Sequence, residues 1–229
     1  LSNVTEWHDT GCHVLNAIMS GSLFGGVPKG RITGFAGPSM TGKTYIINKI
    51  LANAQKKGMI PVIFDSEAAV DEKVVTFVDR IIESKLQGKF IISIDSLGNL
   101  ASQKELDDIE KGKTAMDMGT RAKTLKSMMR TLTFKAAAAE TTILFANHTY
   151  DDPAAMFPTL VKNQAGGKGP VYLASVLVQL AKKDERQDAA NDDDEMLAEA
   201  RNYSGATLRA LTVKNRFVPP FLQGEMYLN

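Results

Sequence analysis

Eight consecutive residues, Gly37, Pro38, Ser39, Met40, Thr41, Gly42, Lys43 and Thr44, constrain this chain more than any other stretch. They fit G-x-x-x-x-G-K-[ST], the phosphate-binding loop, at every fixed position. The spacing has a chemical reason. Glycines let backbone N–H groups turn inward around a triphosphate, and Gly42 allows an approach that a side chain would block. Lys43 supplies positive charge to the β- and γ-phosphates, and Thr44 offers a hydroxyl to Mg²⁺. Such a loop needs a buried strand before it and a helix after it, so that the helix N-terminus also faces the phosphates. Both are legible. Arg31-Ile-Thr-Gly-Phe-Ala36 reads as a short buried strand, and Ile46, Ile47, Ile50, Leu51 and Ala54 recur at helical spacing.

The loop therefore implies alternating strands and helices, and the rest of the chain supplies them. After a helix ending near Lys57-Gly58, Met59-Ile-Pro-Val-Ile-Phe64 reads as a second buried strand that delivers Asp65, Ser66 and Glu67. A helical pattern covers 74 to 86. Phe90 to Ile94 is a third strand, ending in Asp95-Ser96. A polar stretch from Leu97 to Gly119 opens a helix with Leu125, Met128, Met129 and Leu132 on one face and Lys123, Lys126 and Arg130 on another. Thr142 to Ala146 is a fourth strand, ending in Asn147-His148. A proline- and glycine-rich loop runs from Tyr150 to Pro170, and Val176 to Leu180 is a fifth strand. The acidic run between Asp184 and Glu199 reads as a solvated insertion. Leu208 to Val213 and Glu225 to Leu228 read as closing antiparallel strands. The pattern predicts a mainly parallel α/β sheet with helices on both faces and antiparallel strands at its C-terminal edge.

Length and composition agree with one such unit. The chain has 229 residues, 44% hydrophobic and 23% charged, enough for a single sizeable core. Its one cysteine, Cys12, excludes an intrachain disulfide and suits a reducing, cytoplasmic compartment. No apolar run is long enough to span a membrane, so no membrane partner is expected. The net charge of +1 leaves no basic coat, so any nucleic-acid contact has to be made by particular loops.

In a sheet of this kind ligands sit at the C-terminal strand ends. Four polar groups are delivered there: the phosphate loop, Asp65 to Glu67, Asp95-Ser96 and Asn147-His148. Asp95, behind an apolar run, is the carboxylate expected to hold Mg²⁺ beside Thr44. Glu67 is either the group that orients and deprotonates the attacking water or an exposed strand-end carboxylate. His148 is either a γ-phosphate contact that reports to the loop after it or an ordinary polar residue. For sequence-neutral DNA contacts, Lys104, Lys111, Lys113 and Arg121 bracket one candidate loop, and Lys162 and Lys168 lie in a second with Phe157 as its stacking aromatic. Ordinary exposed lysines are the alternative.

Taken in order, these residues resemble the RecA-type strand-exchange recombinases, most closely those of T4-like phages, from about Gly21 to Tyr227. Gly37 to Thr44 is similar to the family's first motif, and Asp65-Ser-Glu67 to the segment ending in its catalytic glutamate. Asp95-Ser-Leu-Gly-Asn-Leu-Ala-Ser102 is similar to the phage proteins' second motif, and Thr120-Arg-Ala-Lys-Thr-Leu-Lys126 to the helix after the first DNA-binding loop. Asn147-His-Thr-Tyr150 stands where bacterial members carry a γ-phosphate-sensing glutamine, and Gly166-Gly-Lys-Gly-Pro170 resembles the end of the second DNA-binding loop. Val213-Lys-Asn-Arg216 with Pro219-Pro-Phe221 resembles the segment whose two basic residues, here Lys214 and Arg216, reach a neighbouring subunit's ATP.

The resemblance implies a RecA-like ATPase core over 1–229, using ATP and Mg²⁺. The implied activity is DNA-dependent ATP hydrolysis coupled to homologous pairing and strand exchange, in a helical filament on single-stranded DNA. Double-stranded DNA is the second substrate, with a loader and a single-strand-binding protein as further partners, in the host cytoplasm if phage-encoded. Departures are visible: few residues separate Glu67 from the helix at Val74, and the segment that packs on the next subunit and the C-terminal end are expected to be missing. A hexameric helicase on the same core, or a regulatory ATP-binding scaffold, remain the alternatives.

Overall fold

The strand that leads into the phosphate loop is the centre of the molecule. The computed structural model describes residues 4–65, 71–97, 118–150, 160–165, 169–187 and 203–228. Two short strands, β1 (Trp7–His8) and β2 (Val27–Pro28), pair antiparallel around helix α1 (His13–Ser20). Then come β3 (Ile32–Gly37), α2 (Lys43–Lys56), β4 (Ile60–Asp65), α3 (Asp71–Glu83), β5 (Phe90–Asp95) and α4 (Met118–Ala138). The chain continues through β6 (Thr142–Tyr150), β7 (Asn163–Gln164), α5 (Gly169–Leu173), β8 (Val176–Gln187), β9 (Tyr203–Asn215) and β10 (Gln223–Leu228). The eight-stranded sheet runs β10-β9-β8-β3-β6-β5-β4, with β7 paired to β6. The strands from β8 to β4 are mutually parallel, and β9 and β10 are antiparallel. This is the expected α/β architecture.

Alternation along each central strand explains why both faces are covered. Phe35, Ile91, Leu144, Ala146, Val176, Val178 and Leu180 pack with α1 and α2 through Leu15, Met19, Ile47, Ile50 and Leu51. Their neighbours Ile32, Ala36, Ile92, Ile94, Ile143, Phe145 and Leu177 pack on the opposite face with Val78 of α3 and Met129 and Leu132 of α4. Slipping any of these strands by one residue would exchange the two sets, so the register is held by two cores at once. Burying each of the Val, Leu, Ile, Phe and Met side chains among them contributes roughly 1.5–3 kcal/mol. On α4 the expected division holds, with Leu125, Met128, Met129 and Leu132 buried and Lys123, Lys126 and Arg130 exposed.

Several boundaries differ from the sequence reading. The fifth strand does not stop at Leu180. It continues to Gln187, and Asp184, Glu185, Arg186 and Gln187 pair with Thr207, Ala206, Gly205 and Tyr203. The start of the acidic run is thus a strand, because backbone pairing with β9 satisfies its N–H and C=O groups whatever its side chains; residues 188–202 lie outside the described ones. Between Tyr150 and Pro170 the chain is not all loop, since Asn163 and Gln164 pair with Tyr150 and Thr149. The polar stretch after β5 opens with a buried residue, Leu97, and α4 begins at Met118. The β1–β2 pair carried no signal, its strands being too short to show a period.

Candidate nucleotide site

At Gly37 strand β3 reaches the sheet's C-terminal edge and the chain turns. A Cβ on Gly37 would lie 2.6 Å from the Leu180 carbonyl oxygen and 2.8 Å from Thr41 Oγ1, so only glycine lets the loop leave between β3 and β8. Gly42 takes φ 71°, the left-handed region glycine adopts without a steric penalty, and α2 begins at the next residue. No side chain caps the N-terminus of α2 and its first turn has no acidic residue, so the helix supplies no anion of its own to its positive end. Thr41 Oγ1 donates to the Pro38 carbonyl at 2.8 Å and ties the loop across itself.

Lys43 is buried, and its Nζ donates to the carbonyls of Gly37 at 3.0 Å and Pro38 at 2.6 Å. Burial pulls its pKa below the ordinary lysine value, and the Asp95 charge pulls it partly back. One residue on, Thr44 Oγ1 donates to Asp95 Oδ2 at 2.6 Å, joining the start of α2 to the end of β5. Asp65, at the end of β4, is the register partner of Asp95. Between β3 and β5, His148 of β6 is in register with Gly37. The phosphate loop, Asp95 and His148 therefore share one edge, as the strand-end argument required. A hydroxyl and a carboxylate are oxygen donors that suit a hard divalent cation such as Mg²⁺. Among the described residues no group of three or more His, Cys, Asp or Glu could hold a metal by itself, so a cation here would complete its shell with phosphate oxygens and water.

The remaining expected site residues are either outside the described residues or placed away from the phosphate loop. Glu67, Lys104, Lys111, Lys113, Phe157 and Lys168 lie outside the described residues; Arg121 is in α4, but its side chain is outside them too. Lys162 is half-buried, with its backbone N–H donating to Gln179 Oε1 at 2.8 Å. Lys214 does not stand by its own chain's phosphate loop. It pairs with Leu177, which is level with Gly34, three residues and roughly 10 Å back from Gly37. Its Nζ donates to the Val171 and Tyr172 carbonyls at the end of α5, and Arg216 Nη2 reaches the same Tyr172 oxygen at 3.5 Å. Arg216 lies one residue beyond the end of β9, yet both side chains reach that oxygen, as two-residue spacing suggests. Burial, with Arg216 adding to it, lowers the Lys214 pKa to about 8. A cavity of about 300 Å³ lined by Glu6, Lys29, Arg31 and Glu140 lies at the opposite, N-terminal ends of the parallel strands. It is remote from this chemistry, and the geometry of the strand ends is the better guide to the site.

A parallel sheet with a glycine loop feeding a helix, a buried lysine inside the loop and a Thr–Asp pair beside it defines a nucleotide-binding protein of the phosphate-loop class. The fold is the RecA-like α/β core. Residues 5–86 match the family model of the RecA N-terminal domain. The chain is 30% identical over 240 residues to Protein RecA of a Nitratiruptor species, covering 92% of this chain and 65% of that protein. Its identity to Protein RecA of Leptospira biflexa serovar Patoc is 30% over 251 residues, 96% of this chain and 61% of that protein. Protein RecA of Chlorobium chlorochromatii is 28% identical over 240 residues, at 92% and 63% coverage. The chain spans less than two thirds of the length of these relatives. Together the matches make the chain similar to RecA proteins over most of its own length. Among the described residues, no helix is long and apolar enough to cross a membrane.

Proposed function

We propose that this protein is an ATP-dependent DNA recombinase that assembles on single-stranded DNA and pairs it with a homologous duplex. The observation that carries the reading is the shared edge: the phosphate loop, the Thr44–Asp95 pair and His148 stand together, and Lys162 lies in a segment returned to that edge by its pairing with β6. Bound ATP with Mg²⁺ supplies the phosphoryl bond whose hydrolysis resets the protein. Thr44 and Asp95 would hold the cation, and Lys43, which bonds the Gly37 and Pro38 carbonyls, would supply its charge to the β- and γ-phosphates. Glu67 orients water and takes its proton. His148 reads the γ-phosphate for the residues that follow it, where Phe157, Lys162 and Lys168 meet DNA, with Lys104, Lys111 and Lys113 and, from the first turn of α4, Arg121 bracketing the other contact.

Lys214 and Arg216 serve a neighbouring subunit's nucleotide. Their position away from their own chain's loop supports a role in trans, where cations stabilise charge on the transferring phosphoryl group. The resemblance of Asp95 to Ser102 to the phage second motif favours a recombinase of the T4-like phage type, UvsX, acting in the host cytoplasm. The 1–229 chain is then the ATPase core, with a loader and a single-strand-binding protein as further partners. Electron microscopy with single-stranded DNA and a slowly hydrolysed ATP analogue tests the reading. A continuous helical filament is expected. Closed rings would indicate a helicase, and no assembly would indicate a scaffold.

A further inference from the structure

Two buried amide side chains flank the strand that carries the phosphate loop, and both grip the same stretch of chain. Ala36, one residue before Gly37, pairs with Asn147 on β6 and with Gln179 on β8. Register partners in a parallel sheet point to one face, so Asn147, Ala36 and Gln179 form a row in which the small central methyl leaves room between the amides. Asn147 is fully buried. Its Nδ2 donates to the Ala165 carbonyl at 2.9 Å and to Gln164 Oε1 at 3.4 Å, while its Oδ1 accepts the His148 N–H at 3.0 Å. Gln179, 9% exposed, donates through Nε2 to the Leu160 carbonyl at 2.9 Å and accepts the Lys162 N–H through Oε1 at 2.8 Å. The Ala165 N–H closes the set on the His148 carbonyl at 3.0 Å.

Strands otherwise this apolar gain nothing from a glutamine or an asparagine in the core. A buried amide is tolerated only when its donors and acceptors are matched, and apart from the His148 N–H on Asn147 Oδ1 these are matched by one segment, residues 160 to 165. We infer that Asn147 and Gln179 are positioning residues that clamp residues 160–165 across the end of β3 and so couple the phosphate loop to the placement of Lys162. The inference rests on the proposed function for Lys162 as a DNA contact, and the clamp itself does not. Movement of Gly37 on nucleotide capture passes to Ala36 and its two flanking strands, and the amides carry it to the Leu160, Lys162 and Ala165 backbone. His148, tied to Asn147 on one side and Ala165 on the other, is held by the same clamp.

Gln179→Met tests this, because it keeps the side chain's length and removes both hydrogen bonds. The first readout is amide exchange at Lys162, expected to speed up by at least about tenfold. The second is the ratio of single-strand affinities with an ATP analogue and with ADP, expected to collapse toward one while nucleotide affinity stays within about threefold. A merely structural residue would lower stability and both affinities together. Gln179→Glu keeps the acceptor for the Lys162 N–H and should restore part of the Lys162 protection. Asn147→Ser, too short to reach Ala165, is the second variant and should lose the same ratio. Unchanged Lys162 exchange in Gln179→Met would overturn the clamp. Faster exchange with an unchanged affinity ratio would overturn the coupling. A wild-type protein whose DNA affinity ignores the nucleotide would overturn the proposed function and the coupling with it, and leave the exchange result to judge the clamp alone.

Discussion

Gly37→Ala is the substitution that most directly links the packing of β3 to the nucleotide. The new Cβ would sit 2.6 Å from the Leu180 carbonyl oxygen, 2.8 Å from Thr41 Oγ1 and 3.3 Å from Leu180 Cβ. The first contact is about 0.8 Å short of ordinary van der Waals separation, and it is with backbone, which cannot swing aside. Either β3 parts from β8 or the loop moves. Overpacking of this kind costs roughly 1–3 kcal/mol. Displacing Thr41 also weakens its bond to the Pro38 carbonyl, adding about 0.5–1.5 kcal/mol. The total, roughly 1.5–4.5 kcal/mol, corresponds to a fall in Tm of roughly 3–18 °C for a domain of this size. A displaced loop would no longer aim its backbone N–H groups at the phosphates, so nucleotide affinity should fall by at least about tenfold. Gly34→Ala is the control. Its Cβ would meet Phe145 Cζ at 2.2 Å and Leu177 Cδ1 at 2.7 Å, inside the α3–α4 face and away from the loop. It should lower Tm and leave nucleotide affinity within about threefold. Thermal unfolding and titration of a fluorescent nucleotide read both effects. A wild-type Tm in Gly37→Ala would refute the close-packing argument, and a lowered Tm with unchanged affinity would refute the claim that the end of β3 sets the loop.

Burial lowers the pKa of His8 from 6.5 to about 4, so between those values the unfolded chain binds a proton that the folded chain does not. Stability is therefore lost as pH falls from 6.5 toward 4, by on the order of 3 kcal/mol from this group; urea melts at pH 7 and 4.5 should show a smaller loss in His8→Gln, and an equal loss would remove His8 as the cause. Glu67→Gln should bind ATP analogue and DNA but hydrolyse about 10²–10⁴-fold more slowly, whereas single-turnover rates within a few-fold of wild type would show that Glu67 is not the base. Lys43→Ala and Lys214→Ala subunits should each hydrolyse little ATP alone and recover part of the activity when mixed. No recovery in filaments shown to contain both proteins would mean that Lys214 does not act in trans.

What the sequence made legible follows from how local each signal was. The phosphate loop carries its own geometry in eight residues, and the apolar runs around Phe35, Ile92 and Phe145 are strands buried on both faces. The convergence of Gly37, Asp95 and His148 followed from the rule that parallel strands present their C-terminal ends together. The continuation of β8 through Asp184 to Gln187 was hidden because its pairing with β9 is made by backbone, to which charged side chains give no clue. The resting partners of Lys214 and Arg216 were hidden because α5 lies some forty residues away in the chain. In the sequence Gln179 reads as one more strand residue. A lone glutamine inside Val176-Leu-Val-Gln-Leu180 was the available signal, and its meaning appeared only once the sheet order set β8 and β6 on either side of β3.

DNA-stimulated ATP hydrolysis, measured on wild type and on Lys43→Ala, tests the central claim most directly. That claim is that the edge formed by the phosphate loop, Thr44 and Asp95 turns over ATP under the control of single-stranded DNA. Wild type should hydrolyse ATP slowly alone and at least about tenfold faster with single-stranded DNA and Mg²⁺, and Lys43→Ala should lose the stimulated rate. A wild-type rate indifferent to DNA, or a stimulated rate that survives in Lys43→Ala, would contradict the account.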